Sequence, residues 1–145
     1  MRRLGATLLA LSCLAAPALG QAATPAPELA GTWQVIEVIA SEDPALKRDF
    51  QPGRLMQLGR QSVRALNGDG CANPSLGKLS DLRMRGIDPM LLRLENVEGA
   101  FKEGLAAICL GTLFAVYVPQ ADGSLLAADR VALYRLQPLA GSTTP

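Results

Sequence analysis

TLFAVYVPQADGSLLAADRVALYRLQ, residues Thr112 to Gln137, decides how the chain folds. Three apolar runs, TLFAVYVP, SLLAA and VALYRLQ, are separated by QADG and DR. Each run is too short for an ordinary helix, and Val, Tyr and Phe suit extended backbone. Two tight connections give neighbouring runs each other as partners, so the segment reads as an antiparallel three-strand meander.

Working back from the meander, the patterns stay short. In NVEGAFKEGLAAI, residues 96–108, Val97, Phe101, Leu105 and Ile108 recur at spacings of four, four and three, which predicts one short helix. Gly99 and Gly104 weaken it, each by roughly 1 kcal/mol relative to Ala. MLLRLE, residues 90–95, is expected to be a strand after a turn at IDP. LSDLRMRG, residues 79–86, alternates Leu82 and Met84 with Asp81, Arg83 and Arg85, the pattern of a half-exposed strand. RLMQLG and RQSVRAL, residues 54–66, read as a hairpin turning at Gly59-Arg60, followed by NGDG and a loop holding Cys71 and Pro74. In SEDPALKRDF, Asp43 suits the N-cap and Pro44 the first position of a single helical turn. GTWQVIEVIA, Gly31 to Ala40, is the first strand. The sum is an all-β domain with minor α content: a small antiparallel up-and-down β-barrel, or a strongly curled sheet, of about seven to eight strands with one short helix. Closure of such a sheet would also remove its exposed edges.

The two ends differ from this domain. Arg2 and Arg3 precede an apolar run from Leu4 to Leu19, and Ala18 and Gly20 supply the small side chains of a secretory cleavage site. Residues 1–20 are therefore expected to be a signal peptide, too short and Ala-rich for a membrane span. Cys13 raises the possibility of a lipid anchor, but of the residues before it only Ser12 fits a lipoprotein cleavage site, so the cysteine is assigned to the leader. Residues 21–28 read as a linker, 29–137 as the domain and 138–145 as a flexible tail. Of 14 Lys and Arg, two lie in the leader, against 13 Asp and Glu, so the rest of the chain is close to neutral. Nothing in that balance selects nucleic acid or an anionic membrane.

Export changes the meaning of the cysteines. Cys71 and Cys109 would remain in an oxidising compartment, where two thiols usually form a bridge. Such a bridge closes a loop long enough to contribute up to about 4 kcal/mol by the chain-entropy model. A redox or metal role is the competing reading, without a CxxC partner or any histidine to support it.

The absence of histidine also excludes Ser-His-Asp and Cys-His chemistry. A carboxylate pair could still cleave glycosides. Glu37 is the acid set inside an apolar strand, and its expected role is to point to solvent or to pair with an Arg of the next strand. Asn67, Asp69 and Cys71 alternate like a calcium loop but fail at the third position and lack a closing Glu, which leaves a plain turn. Gly68, Gly70 and Gly77 lack the Lys and the strand-to-helix setting of a phosphate loop. Arg83, Arg85 and Arg93 are interleaved with Asp81, Asp88 and Glu95 and read as a mixed solvated face.

Gly31-Thr32-Trp33 at the start of the first strand, with an Arg in the last, resembles the lipocalin and wider calycin pattern. The resemblance implies that Trp33 closes one barrel end and that Arg135, or in reserve Arg130, packs across its ring. Gly70-Cys71-Ala72-Asn73, followed by an Ala-rich segment and closing strands, is similar to the META domain of small bacterial periplasmic proteins, whose Cys-Asn pair is one residue shorter. Both resemblances imply a small β-rich envelope domain, and neither transfers a catalytic residue.

The functional expectation is a periplasmic or secreted binding protein, not an enzyme, with no catalytic, cofactor or metal site. A protein-binding module of inhibitor, immunity or envelope-stress type, monomeric by itself, comes first, because a rigid stapled β scaffold presents loops well. A carrier of a small apolar ligand in the barrel interior comes second, and a carboxylate-based hydrolase third.

Overall fold

The structure, a computed structural model, describes residues 29–82 and 89–140. Its strands are β1 (Gly31–Ser41), β2 (Arg54–Leu58), β3 (Ser62–Arg64), β4 (Gly70–Ala72), β5 (Ser75–Lys78), β6 (Leu105–Cys109), β7 (Thr112–Pro119), β8 (Leu125–Asp129) and β9 (Ala132–Pro138). Three short helices are interspersed: α1 (Pro44–Arg48), α2 (Pro89–Leu94) and α3 (Ala100–Glu103). Among the described residues, no helix is long and apolar enough to cross a membrane.

Seven strands form one antiparallel sheet in the order β2-β1-β9-β8-β7-β6-β5, curled into a half-barrel. The meander β7-β8-β9 is its centre, as the apolar runs predict. The first strand closes onto the last, with Trp33 opposite Pro138 and Val35 opposite Leu136. Two register shifts in that pairing, after Val35 and after Val38, bend the strand. The hairpin β3-β4 is a separate two-stranded sheet.

Both faces of the sheet are covered, which explains runs such as Val116-Tyr117-Val118, buried at every position. One face carries Trp33, Val35, Met56, Tyr117, Tyr134 and Leu136 and packs against Val63, Leu66 and Cys71 of the hairpin region. The other carries Val116, Val118, Leu126 and Leu133 and packs against Met90 and Leu94 of α2 and Ala100 of α3. These are called the hairpin face and the helix face below.

Asp43 caps α1 as expected, its Oδ1 accepting from the Ala45 N–H at 2.9 Å, with Pro44 in the first turn. Other segments depart from expectation. MLLRLE is helix α2, not a strand: Met90, Leu92 and Leu94 alternate like strand residues, but Met90 and Leu94 are also four apart, and they are the buried pair while Leu92 is exposed. The helix expected over 96–108 survives only as α3, with Phe101 exposed, and Leu105 to Cys109 become β6 between β5 and β7. Gly104 marks the switch, because a Cβ there would lie 2.3 Å from the Ala100 carbonyl oxygen.

The expected hairpin over 54–66 is not formed either. β2 pairs with β1 and β3 with β4, and a Gly59 N–H to Ser62 carbonyl bond of 3.0 Å joins the two segments. Cys71 lies in β4 instead of a loop, and β5 has no apolar alternation to announce it, being exposed along its length. Leu79 to Asp81 form a 3-10 turn, and the rest of that expected strand, residues 83–86, lies outside the described residues, as do the expected leader, linker and most of the tail.

Candidate functional site

The turn between β6 and β7 has two central residues, Leu110 and Gly111, flanked by the paired Cys109 and Thr112. Both are left-handed, with φ of +49° and +77°. Two-residue hairpin turns of this hand favour Asn-Gly, because the first position must tolerate positive φ. A leucine there is strained by about 1–2 kcal/mol, and its side chain is fully exposed. An apolar knob is thus held in water by a backbone conformation that its residue type disfavours.

The turn is anchored. Cys109 is bridged to Cys71 of β4, with an S–S distance of 2.22 Å and Cα atoms 5.9 Å apart, so the two sulfurs expected to pair do so. The bridge ties the hairpin β3-β4 to β6, and hence to the base of the Leu110 turn. Beside the turn opens a recess of about 270 Å3 with apolar walls from Ala65, Leu113, Phe114 and Val131 and with Asp69 and Arg130 also on its lining. Asp69 belongs to the turn predicted for NGDG: its N–H donates to Asn67 Oδ1 at 3.1 Å, and its carboxylate accepts from Asn67 Nδ2 at 2.8 Å.

Behind the recess, Asp129 organises the connection between β8 and β9. It is fully buried. Oδ1 accepts from the Val131 and Ala132 N–H groups at 2.9 Å each, and Oδ2 accepts from the Leu66 N–H at 2.7 Å. One carboxylate therefore fixes both the Arg130 turn and the loop leaving β3. Tyr117 and Tyr134 flank Ala127 from the neighbouring strands. Their hydroxyls are buried without a well-formed hydrogen bond. Burial pushes both phenols well above the usual tyrosine range, and the Asp129 charge adds to the effect.

Trp33 lies on the hairpin face, its Nε1 donating to the Leu29 carbonyl at 3.0 Å. Arg135 lies between Tyr134 and Leu136, which face the hairpin, so it projects to the opposite side and pairs with Glu37 at 3.4 Å. The sheet thus separates Trp33 from Arg135, while Glu37, expected to face solvent or pair with an Arg of the next strand, is exposed and pairs with an Arg of the last strand. Arg130 is exposed at the recess. Arg93 is no part of a solvated stripe: Nη1 donates to the Asp129 carbonyl at 2.7 Å, and Nη2 pairs with Glu42. Arg83, Arg85 and Asp88 lie outside the described residues.

A second cleft, of about 640 Å3, is lined by Asp43, Asp49, Phe50 and Arg54 among others. Its two acids are engaged, Asp43 as the helix cap and Asp49 with Arg48, which holds the Asp49 carboxyl below the usual range. A general acid needs the opposite shift.

Leu110 and Asp129 were not singled out by sequence reasoning. Leu-Gly between two β runs was the available signal for the first, whereas DR reads only as a turn. No family model, curated protein or solved structure matches the chain.

Proposed function

We propose that the chain is a non-enzymatic protein-binding module of the bacterial envelope, exported to the periplasm or beyond, that docks a partner protein on the Leu110 turn in the manner of an inhibitor or immunity factor. The observation that carries this reading is the fully exposed Leu110 at a left-handed position of a disulfide-anchored turn. Buried apolar anchors dominate protein interfaces, and strain at an exposed residue points to use, not to packing. The bridge fits an oxidising compartment. The carrier alternative has less support, because Trp33, Met56, Tyr117 and Tyr134 occupy the space against the hairpin where a ligand would sit.

The test compares wild type with Leu110→Asn, which suits the turn and removes the knob. Immobilised wild-type protein is expected to retain one or a few proteins from envelope extract. Leu110→Asn should retain them at least about tenfold less well, the effect of losing an anchor worth 1.4 kcal/mol or more, without loss of thermal stability. Equal retention by both variants, or recovery of lipid alone, overturns the proposal.

A further inference from the structure

The Leu110 patch contains both halves of a contact. A protruding leucine stands at the rim of an apolar recess, and the recess is about nine times the roughly 30 Å3 that a water molecule takes in the liquid, enough for a four-carbon side chain. Its lining also carries one acid and one base, Asp69 and Arg130. Among the described residues, Arg130 makes no ion pair, its carbonyl alone being used, by Arg93. A patch that holds a knob with a hole and a positive with a negative charge is complementary to itself. A two-fold axis can satisfy all four elements at once, because in an isologous contact each residue meets its counterpart's partner on the other copy.

We infer that the occupant of this recess, when no other partner is bound, is the Leu110 side chain of a second copy of this chain, with Arg130 of each copy facing Asp69 of the other. The inference rests on the reading of Leu110 as a docking residue but commits to a different occupant. The contact covers Leu110, which otherwise stands fully in water, and it neutralises Arg130. With one turn and one recess per copy it belongs to the small, transient class of interfaces. It reverses readily, and a foreign protein that presents an apolar side chain and an acid to the same recess competes with it.

Sedimentation velocity over a concentration series on the full chain lacking its leader tests this. Wild type is expected to pass from monomer to dimer below about 1 mM, the weak end of measurable association. Leu110→Asn should weaken dimerisation at least about tenfold. Arg130→Asp alone should weaken it several-fold, and the double variant Asp69→Arg/Arg130→Asp should recover most of the loss, a rescue that a folding defect would not give. A wild-type monomer throughout the series, a dimer indifferent to Leu110→Asn, or no recovery in the double variant overturns the inference. A monomer that still captures an envelope protein through Leu110 defeats this proposal and leaves the preceding one standing. A Leu110-dependent dimer that captures nothing does the reverse.

Discussion

Asp129 shows how much one side chain can hold. Its carboxylate accepts three backbone N–H groups, one of them from Leu66, 63 residues away in the chain, and two of the three bonds are fully buried. Asp129→Ala leaves the Leu66 and Ala132 donors buried and unpaired, at about 1 kcal/mol or more each, so a loss of about 2–3 kcal/mol is expected in urea unfolding followed by Trp33 fluorescence. Leu110→Asn should act in the opposite sense, raising stability by about 1 kcal/mol as the left-handed strain is relieved. The phenols predict a pH dependence. Tyr117 and Tyr134 are the chain's two tyrosines, and both have raised proton affinity in the fold. Their contribution is complete below about pH 10, where unfolded tyrosine is also protonated. Above that the unfolded state binds fewer protons than the native one, so stability falls, by up to about 1.4 kcal/mol per pH unit for each tyrosine. Phenolate absorbance should therefore appear together with unfolding; a titration near pH 10 in the intact fold would contradict the buried placement. Little of this is legible in the sequence: Asp129 sits in a turn-like DR, and its role depends on Leu66, which only the packing of the hairpin region on the sheet brings near.

Among the elements, the disulfide pairs a short isolated hairpin with a long sheet. β3 and β4 have three residues each, and two-stranded pieces of that size are marginal in water. Replacing both Cys71 and Cys109 with Ser should lower stability by up to about 4 kcal/mol, as measured by urea unfolding against the oxidised protein. Gly104→Ala should be strongly destabilising as well, because its Cβ would meet the fixed Ala100 carbonyl, not a flexible side chain. The same glycine explains why the helix is shorter than its apolar spacing predicts. Spacings of four, four and three describe one helical face, yet Leu105 to Cys109 gain two strand neighbours by leaving it. β7, β8 and β9 were legible because each meets its partner within a few residues of a turn. β5 was not, since an exposed strand of Ser, Leu, Gly and Lys has no apolar period. Its shortness and its terminal Lys78 also fit the devices by which sheets blunt a free edge.

At the scale of the whole molecule, the curled sheet buries apolar side chains on both faces, and the recess lies where the hairpin, the β6-β7 turn and the β8-β9 turn converge. The sequence disclosed the β class, the closing meander and the cysteine pair. It could not disclose the convergence, because the segments concerned run from Ala65 to Val131 and no local pattern relates them. Trp33 and Arg135 show the opposite failure: a familiar pairing of residue types was expected across a barrel end, and strand alternation put the two on different sides.

The seam between β1 and β9 joins residues about a hundred positions apart, Trp33 with Pro138 among them. A ribosome delivers the first strand long before the last, so this strand must wait with its apolar side chains unmatched on that side, and the seam can form only when residues as far as Pro138 are free. Slow closure and a period of vulnerability to wrong partners follow from that delay.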